Sequence, residues 1–318
     1  MLPSLNIIIV NWNSAEQLHQ CLSSIVSTKR DKFRLNSVVV VDNASTDRSL
    51  QGITDLDLPL ELIVNLDNRG FGSACNQGAA RSKSDYLLFL NPDTRLFAAA
   101  LDRSIDFMEH SLPQKIGVAG IQLVDERGNV QRNCTRFPSL INFWCSIGGI
   151  DKIIKNKFTS YLMTDWDHST TRSVDQVMGA FYLIRSEIFE TLAGFDEYFF
   201  IYFEDLDLSY RVKQLGWSSC YLADIQSFHK GGGTSESIKS TRLFYFIRSR
   251  ILYAYKHFSP ISATSILLAS LSIEPFSRIG FSLLRFSGSQ IQETISAYIQ
   301  LLANSSEIYK SIRQQVSK

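Results

Sequence analysis

Short apolar runs that end in polar turns recur through residues 5–100, with amphipathic stretches between them. These runs, at residues 6–10, 38–41, 61–65 and 86–90, are predicted to be strands. The four valines at 38–41 are β-branched, and their lack of alternation indicates a strand covered on both faces. Leu18, Leu22 and Ile25 lie at positions i, i+4 and i+7, which is helical spacing. Alternating strands and helices predict an open, largely parallel α/β sheet.

Two helix boundaries are predicted from local sequence. Ser14 is a typical N-cap residue, and Gln17, three positions later, completes a capping box. A second helix is predicted after the acids of "YFEDLDLSYRVKQLGW", because Leu208 and Val212 have helical spacing and Gly216 can end the helix.

The remainder of the chain changes character twice. Residues 116–185 are predicted to form strands and hairpins, and "VMGAFYLIRS" is predicted to be a strand with Gly179 near its centre. A glycine inside a strand often marks a close approach of a ligand or a second backbone. From about residue 235 onward helical patterns dominate, and the apolar segment 261–273 is too short to span a bilayer.

Composition narrows the class of protein. The chain has 318 residues, 45% hydrophobic and 20% charged, which is typical of a globular protein. The net charge of +1 argues against nucleic acid as the main partner. Five cysteines, with no C-x-x-C pair, disfavour a disulfide framework and a zinc site. No basic segment precedes a long apolar stretch at the N-terminus, so we expect no signal peptide and a cytoplasmic location.

Polar residues follow each of the four predicted strands. In an open α/β sheet, ligands bind beyond the carboxyl ends of the strands. Any one of these residues is also explained as a turn-former or helix cap, but four successive strand ends favour a binding site. The candidates are Asn11, Asn13, Asp42, Asn43, Asn68, Gly70, Gly72, Asn91 and Asp93.

Acidic residues emerge from an aromatic segment at 195–207. Glu204 and Asp205 are expected at or near the N-terminus of the second predicted helix, where the helix dipole and capping favour acids. That explanation leaves their apolar surroundings unexplained, because a desolvated carboxylate needs a partner. A carboxylate beside an apolar wall is suited to act as a general base.

One of the five histidines, His229, lies shortly before three glycines in "SFHKGGGTS". A lone histidine is more often structural or on the surface than a ligand. Here Gly231, Gly232 and Gly233 form a loop able to close over a substrate. Imidazole and carboxylate groups together suit Mn²⁺ or Mg²⁺ bound to a diphosphate.

Six segments occur in the order, and at about the spacings, of family 2 glycosyltransferases. They are "IIIVNWN", "VVVVDNASTD", "NRGFGSACNQG", "FLNPDT", "GFDEYFFIYFEDLDLSYRVKQLGW" and "FHKGGGTS". The resemblance covers roughly residues 5–235 and is strongest to the bacterial rhamnosyltransferase-like branch. It implies a GT-A fold, which is a Rossmann-like, mostly parallel α/β fold, in a catalytic domain at 1–235. A C-terminal helical region would follow at 236–318.

The resemblance also implies nucleotide-binding roles. Asp42 would hydrogen-bond the pyrimidine base, with Asn11, Asn13 and Asn43 nearby. The loop at 68–72 would pass close to the nucleotide, and Asn76 would face the same cleft. The pocket around Gly179 and the segment "DERGNVQRNCTRFP" are expected to shape recognition of the sugar and the acceptor.

The implied metal and catalytic groups come from the later segments. Asp93 matches the last acid of the family's D-x-D motif, and His229 matches a histidine that often completes the metal shell. Asp205 matches the acid usually assigned as the base, with Glu204 beside it. Asn91 replaces the first acid of the D-x-D motif, so diphosphate oxygens would supply further ligands to Mn²⁺ or Mg²⁺.

The resemblance therefore implies an inverting hexosyltransferase of cell-surface polysaccharide synthesis. Its donor would be a dTDP- or UDP-sugar, with dTDP-rhamnose the leading expectation, and its acceptor a glycan or lipid-linked hydroxyl. Alternatives are a non-catalytic nucleotide-sugar-binding module, a dehydrogenase and a nucleotidyltransferase. The dehydrogenase fingerprint fails because no glycine follows the first strand and Cys75 occupies its last position. No P-loop supports the nucleotidyltransferase.

The segment at 242–252 allows two interpretations. Its apolar residues lie among Arg242, Arg248 and Arg250, as in an interfacial helix resting on the inner face of the plasma membrane to reach a lipid-linked acceptor. The same pattern fits a helix packed on the catalytic domain with its basic residues in water. The sequence leaves both open.

Overall fold

The computed structural model describes residues 1–81, 83–154, 156, 158–231 and 238–316. The chain folds into two compact units that are interleaved along the sequence. Unit 1 contains the described residues of Met1–Thr135, Trp166–Glu197 and Glu204–Thr234, and unit 2 those of Arg136–Asp165, Tyr198–Phe203 and Ser235–Lys318. Unit 2 thus joins the predicted C-terminal region to two earlier segments, while the functional division at 235/236 stays a prediction.

The strands of the described residues all belong to unit 1. They are β1 Ser4–Asn11, β2 Arg34–Asp42, β3 Leu60–Val64, β4 Tyr86–Leu90, β5 Thr94–Leu96, β6 Ile116–Val124, β7 Cys134–Thr135, β8 Arg172–Val174, β9 Gln176–Val177, β10 Phe181–Arg185 and β11 Ser218–His229. The four predicted strands correspond to β1 to β4.

The helices lie in both units. They are α1 Glu16–Val26, α2 Phe71–Ala79, α3 Ala100–His110, α4 Leu140–Gly148, α5 Ser186–Thr191, α6 Glu204–Gln214, α7 Lys239–His257, α8 Pro260–Ser272, α9 Glu274–Leu284, α10 Gly288–Ala303 and α11 Ser305–Val316. Short 3₁₀ helices occupy Ile53–Asp55, Leu112–Gln114 and Ile150–Lys152. Helices α4 and α7 to α11 belong to unit 2.

Within the described part of unit 1, nine strands form one sheet in the order β3-β2-β1-β4-β10-β6-β11-β5, with β8 also paired to β11. The pairs β2–β3, β1–β2, β1–β4 and β6–β11 are parallel, and β10 pairs antiparallel to both β4 and β6. Strands β1 to β4, β6 and β11 therefore point the same way, and the largely parallel sheet is confirmed. Their carboxyl ends meet at one edge.

Strand β1 shows why the centre of the sheet is stable. All eight of its residues are buried, as are all five of β4 beside it. Helix α1 packs Leu18, Leu22 and Ile25 into the same core, as their spacing predicts. The polar residues that follow these strands are fixed in place by this apolar layer.

Three local predictions are wrong. Residues 116–185, predicted to form strands and hairpins, also contain helix α4 at Leu140–Gly148, whose first turn is capped by Ser139. Helix α1 has Ala15 at its N-cap and no side-chain cap; the Ser14 hydroxyl instead donates to Oδ1 of Asn11, because that strand-end amide lies within reach. Gly179 does not lie inside a strand: a turn at 178–180 separates β9 from β10. The Gly179 amide hydrogen-bonds a carboxylate there rather than a neighbouring strand.

Unit 2 is helical, and α7 lies at its core against α8, α10 and α11. Ile247, Ile251 and Leu252 are buried, and Arg250 is 0% exposed. The interfacial helix considered for 242–252 is therefore wrong, since its apolar side chains face the interior of the unit. The alternative placed the basic residues in water, and this is wrong for two of them: Arg248 is 8% exposed, and Arg250 is ion-paired with buried Glu274.

No single helix in the described residues is long and apolar enough to cross a bilayer. Together α8 and α9, which are bent by 42° relative to each other, have the length and composition of a span.

Candidate active site

Asn11 and Asp42 end two adjacent parallel strands and lie opposite each other in register. Asn11 Nδ2 donates to Asp42 Oδ1 at 2.7 Å and to Ser49 Oγ at 2.8 Å, and the Ser45 amide donates to Asp42 Oδ2 at 3.0 Å. Asp42 is only 1% exposed. This network holds together the two loops that follow β1 and β2. The contact of Asp42 with a pyrimidine base stays a prediction.

The same two loops contain residues in the left-handed region, namely Asn13 (φ 50°), Ala15 (φ 49°) and Ala44 (φ 60°). Asn13 tolerates this conformation and uses it: its Oδ1 accepts from the Thr46 amide at 2.7 Å. Alanine does not favour it, and such strain tends to collect at functional sites. The loops are therefore held in one conformation at the sheet edge.

The Gly-rich loop reaches this network through Asn43. Asn43 Nδ2 donates to the Gly70 carbonyl at 3.1 Å, and the Gly70 amide donates to Asn68 Oδ1 at 2.9 Å. Gly70 has φ 84°, which glycine adopts without strain, and α2 begins at the next residue. The sequence-predicted residues Asn43, Asn68 and Gly70 thus lie together at the start of a helix.

Helix α2 packs closely against the segment that carries the predicted acids. A Cβ at Gly72 would lie 3.2 Å from Phe195 Cβ and 3.8 Å from Glu204 Cβ, so glycine permits this approach. Asn76 lies one turn further and binds the Phe195 backbone, donating to its carbonyl and accepting from its amide at 2.9 Å each. Asn76 therefore holds this segment in place; a direct role in donor binding stays a prediction.

Asp205 is fixed by three donors at the start of α6. Its Oδ2 accepts from the Gly179 amide at 3.0 Å and from Gln176 Nε2 at 2.9 Å, while its Oδ1 accepts from the Leu206 amide at 2.8 Å. Burial raises the pKa of Asp205 above its ordinary value despite these donors. The carboxylate is thus oriented, partly exposed and more basic than an ordinary aspartate.

Glu204, beside it, is held differently. It is 5% exposed, and its Oε2 has no hydrogen-bond partner among the described residues. Burial, and next the charge of Asp205, raise the pKa of Glu204 well above its ordinary value. Glu204 is therefore harder to ionise than an ordinary glutamate.

The turn at 178–180 joins Asp205 to the end of β4. While the Gly179 amide binds Asp205, the Ala180 carbonyl accepts from the Asn91 amide at 3.1 Å and from Thr94 Oγ1 at 3.3 Å. Asn91 and Asp93 therefore follow β4 in a turn that is tied to the support of Asp205. The turn at 178–180 thus contacts residues that lie 86–89 positions earlier in the sequence and links them to Asp205.

Asp93 and His229 also meet. His229 Nε2 lies 3.3 Å from Asp93 Oδ1, and both side chains are mostly buried. His229 Nδ1 lies 2.7 Å from Gln131 Oε1, an acceptor, so we assign the proton to Nδ1. The lone pair of Nε2 then faces a carboxylate oxygen, an arrangement that requires a shared proton or cation.

This pair fits a divalent ion but is a sparse ligand set. The described residues contain no cluster of three or more His, Cys, Asp or Glu side chains suited to a metal. An imidazole nitrogen and a carboxylate oxygen suit Mn²⁺, and phosphate oxygens and waters commonly supply its remaining ligands. The predicted closing loop at Gly232 and Gly233 lies outside the described residues.

Several supporting residues are not identified from sequence. Gln176 and Gln131 orient Asp205 and His229, and Ser45 and Ser49 anchor Asn11 and Asp42. The serines lie in "DNASTDRS", directly after a predicted strand, which is a detectable signal. Gln131 lies in the segment expected to shape sugar and acceptor recognition, but neither it nor Gln176 is marked in the sequence as a partner of His229 or Asp205.

A family model described as "Glycosyl transferase family 2" matches residues 6–192. An L-rhamnosyltransferase of Mycobacterium tuberculosis, named for N-acetylglucosaminyl-diphospho-decaprenol, is 26% identical over 246 residues, covering 72% of this chain and 76% of the relative. The rhamnosyltransferase WbbL of Escherichia coli is 28% identical over 196 residues, covering 58% of this chain and 69% of the relative.

Solved structures agree on the fold. A mannosyltransferase from Pyrobaculum calidifontis, in complex with GDP-Man and Mn²⁺, aligns with a TM-score of 0.52 at 16% identity, over 100% of this chain and 84% of that one. S. aureus TarS in complex with UDP-GlcNAc aligns with a TM-score of 0.54 at 16% identity, over 98% and 82%. The predicted GT-A fold, with added C-terminal helices, is confirmed.

Proposed function

Because the chain belongs to glycosyl transferase family 2 and is a glycosyltransferase, we propose that it transfers a sugar, with inversion, from a nucleotide-diphosphate donor to an acceptor hydroxyl. The observation that carries this proposal is the Asp205 carboxylate, which is oriented by the Gly179 amide and made more basic by burial. A base of this kind is what a single displacement needs.

Asp205 acts on the acceptor. Its carboxylate takes the proton of the acceptor hydroxyl as that oxygen bonds to the anomeric carbon. The bond between the anomeric carbon and the diphosphate oxygen breaks, and its electron pair leaves with the nucleotide diphosphate. The raised pKa of Glu204 disfavours a second negative charge beside the base.

Asp93 and His229 are proposed to hold a divalent metal ion. When bound, this ion would neutralise the negative charge that develops on the leaving diphosphate. The facing Nε2 and Oδ1 atoms, 3.3 Å apart, support this role. Gln131 accepts the hydrogen bond from Nδ1 of His229 and thereby orients Nε2 toward Asp93.

The donor and the acceptor are proposed from the relatives. Two of these are rhamnosyltransferases, and the name of one contains a diphosphate-linked polyprenol. We therefore propose dTDP-rhamnose as the donor and a lipid-linked or glycan hydroxyl as the acceptor, in bacterial polysaccharide synthesis. Asn11, Asn13, Asp42, Asn43 and the loop at 68–72 would contact the nucleotide.

The test is a panel of dTDP-, UDP- and GDP-sugars incubated with the full chain and Mn²⁺. Slow hydrolysis of one donor, detected by mass spectrometry as free sugar and nucleotide diphosphate, is expected without an acceptor. Binding of a donor with no hydrolysis or transfer under any condition would instead support the non-catalytic binding module.

A further inference from the structure

Unit 2 contains a cavity of about 300 Å³ bounded by α7, α9, α10 and the 3₁₀ helix Ile150–Lys152. Its charged lining consists of four basic residues, Lys152, Lys239, Arg278 and Arg285, and one acid, Glu293. Four positive charges minus one negative charge leave a net charge of +3 in the lining. The whole chain has a net charge of only +1, so positive charge is concentrated here.

The acids nearby do not balance these cations. Arg278 shares Glu274 with Arg250, and Lys239 lies 3.9 Å from Glu293. Lys152 and Arg285 form no ion pair with any described residue, although the charge of the neighbouring Asp151 acts favourably on Lys152. Burial, and next the guanidinium of Arg278, lower the pKa of Lys152. Crowded like charges in a cavity of this size are relieved by an anion the size of a phosphate group.

Helix α9 presents two different faces. Arg278, Phe281, Ser282 and Arg285, which line the cavity, follow the spacing i, i+3, i+4, i+7 of one helix face. Other side chains on or directly after α9 are apolar and exposed: Phe276 by 75%, Leu283 by 59%, Leu284 by 77% and Phe286 by 96%. A cationic face opposite an exposed apolar one is characteristic of helices that lie in a membrane interface.

We propose that α9 docks on an anionic lipid surface, with a lipid phosphate headgroup in the cavity between Lys152 and Arg285. Phe276, Leu283, Leu284 and Phe286 enter the boundary between headgroups and acyl chains. Charge complementarity identifies the occupant, because a neutral apolar partner would leave the excess positive charge of the lining unneutralised. The proposal stands apart from the transferase chemistry and is tested without a sugar donor.

The experiment is sedimentation of the full chain with vesicles of phosphatidylcholine, alone or mixed with phosphatidylglycerol. We expect binding only to the mixed vesicles, weakening as salt rises. Lys152→Gln/Arg285→Gln should lower the partition constant about 30-fold, since each basic residue contributes about fivefold. Phe286→Ser should lower it about tenfold through lost apolar burial.

Matched control variants distinguish a specific binding site from a general effect of surface charge or of exposed apolar side chains. Lys310→Gln/Arg313→Gln removes two exposed cations of α11, and Leu302→Ser removes an exposed apolar side chain of α10. Both should bind as the wild type does. Equal losses in these controls, equal binding to phosphatidylcholine alone, or no vesicle binding despite calorimetric binding of inorganic phosphate would each overturn the proposal.

Discussion

The backbone amide of Gly179 donates a hydrogen bond of 3.0 Å to Oδ2 of Asp205, although 26 residues separate them. The next residue, Ala180, accepts from the turn that carries Asp93. One short turn thus supports both the proposed base and the proposed metal-binding turn. Rigid support of this kind limits the reorganisation needed as charge develops in the reaction.

Glu204→Gln should change how stability depends on pH. Because the folded state raises the pKa of Glu204 above its ordinary value of 4.5, its protonated form stabilises the fold. That contribution is complete below about pH 4.5 and is lost as pH rises through the raised folded pKa. The variant should therefore become more stable relative to wild type as pH rises, by about 1.4 kcal/mol per unit.

Urea unfolding at a series of pH values measures this difference. Glu190→Gln, which removes an exposed carboxyl group in α5, is the matched control. Parallel stability curves for wild type and Glu204→Gln would contradict the raised pKa.

His229→Gln and Asp93→Asn should each weaken Mn²⁺ binding at least about tenfold in the presence of a nucleoside diphosphate, as loss of a ligand or its support generally does. Gln131→Leu should have a smaller effect in the same direction, because His229 Nδ1 loses the hydrogen bond that fixes the tautomer and orientation of the imidazole. Electron paramagnetic resonance of Mn²⁺ gives the affinities directly. His110→Gln, whose side chain is 79% exposed, should bind like wild type; an equal loss there would argue against the site.

Asn76→Ala should destabilise the protein by about 2–3 kcal/mol, because the Phe195 amide and carbonyl both lose their partner. Chemical denaturation measures this. Asn36→Ala, which removes a single solvent-exposed hydrogen bond to the Lys83 carbonyl, should cost less than about 1 kcal/mol. A variant with normal stability but greatly weakened donor binding would instead show that Asn76 contacts the donor.

Glu274→Gln should cost about 3–5 kcal/mol of stability, because it leaves the fully buried Arg250 guanidinium without its counter-charge. Glu307→Gln breaks the ion pair with Arg248, but Glu307 is 64% exposed, so its loss should cost less than about 1 kcal/mol. Comparable losses in the two variants would contradict the assignment of Arg250–Glu274 as a buried pair.

The sequence predicts the sheet well because apolar runs followed by polar turns are local signals. Strands β1 to β4 and the start of α6 are where the pattern places them. The sequence-based prediction fails where long-range partners override local preference. The Ser14 hydroxyl donates to Asn11 instead of capping α1, and Gly179 lies in a turn, where its amide donates to Asp205.

The candidate site is predicted unevenly for the same reason. Asp93 and His229 meet as the resemblance implies, but the glutamines that orient His229 and Asp205 come from segments with no recognisable motif. The burial of α7 likewise cannot be predicted from its local sequence, because its mixed apolar and basic pattern fits both an interfacial helix and a core helix with a buried ion pair.

The most direct test is Asp205→Asn, assayed for both sugar transfer and donor binding. Losing the base while keeping its shape should lower the turnover number by roughly 10²–10⁴-fold. Calorimetric affinity for the nucleotide donor with Mn²⁺ should stay close to that of wild type, since Asp205 acts on the acceptor. Transfer by the variant at a rate near that of wild type would contradict the assignment of Asp205 as the base.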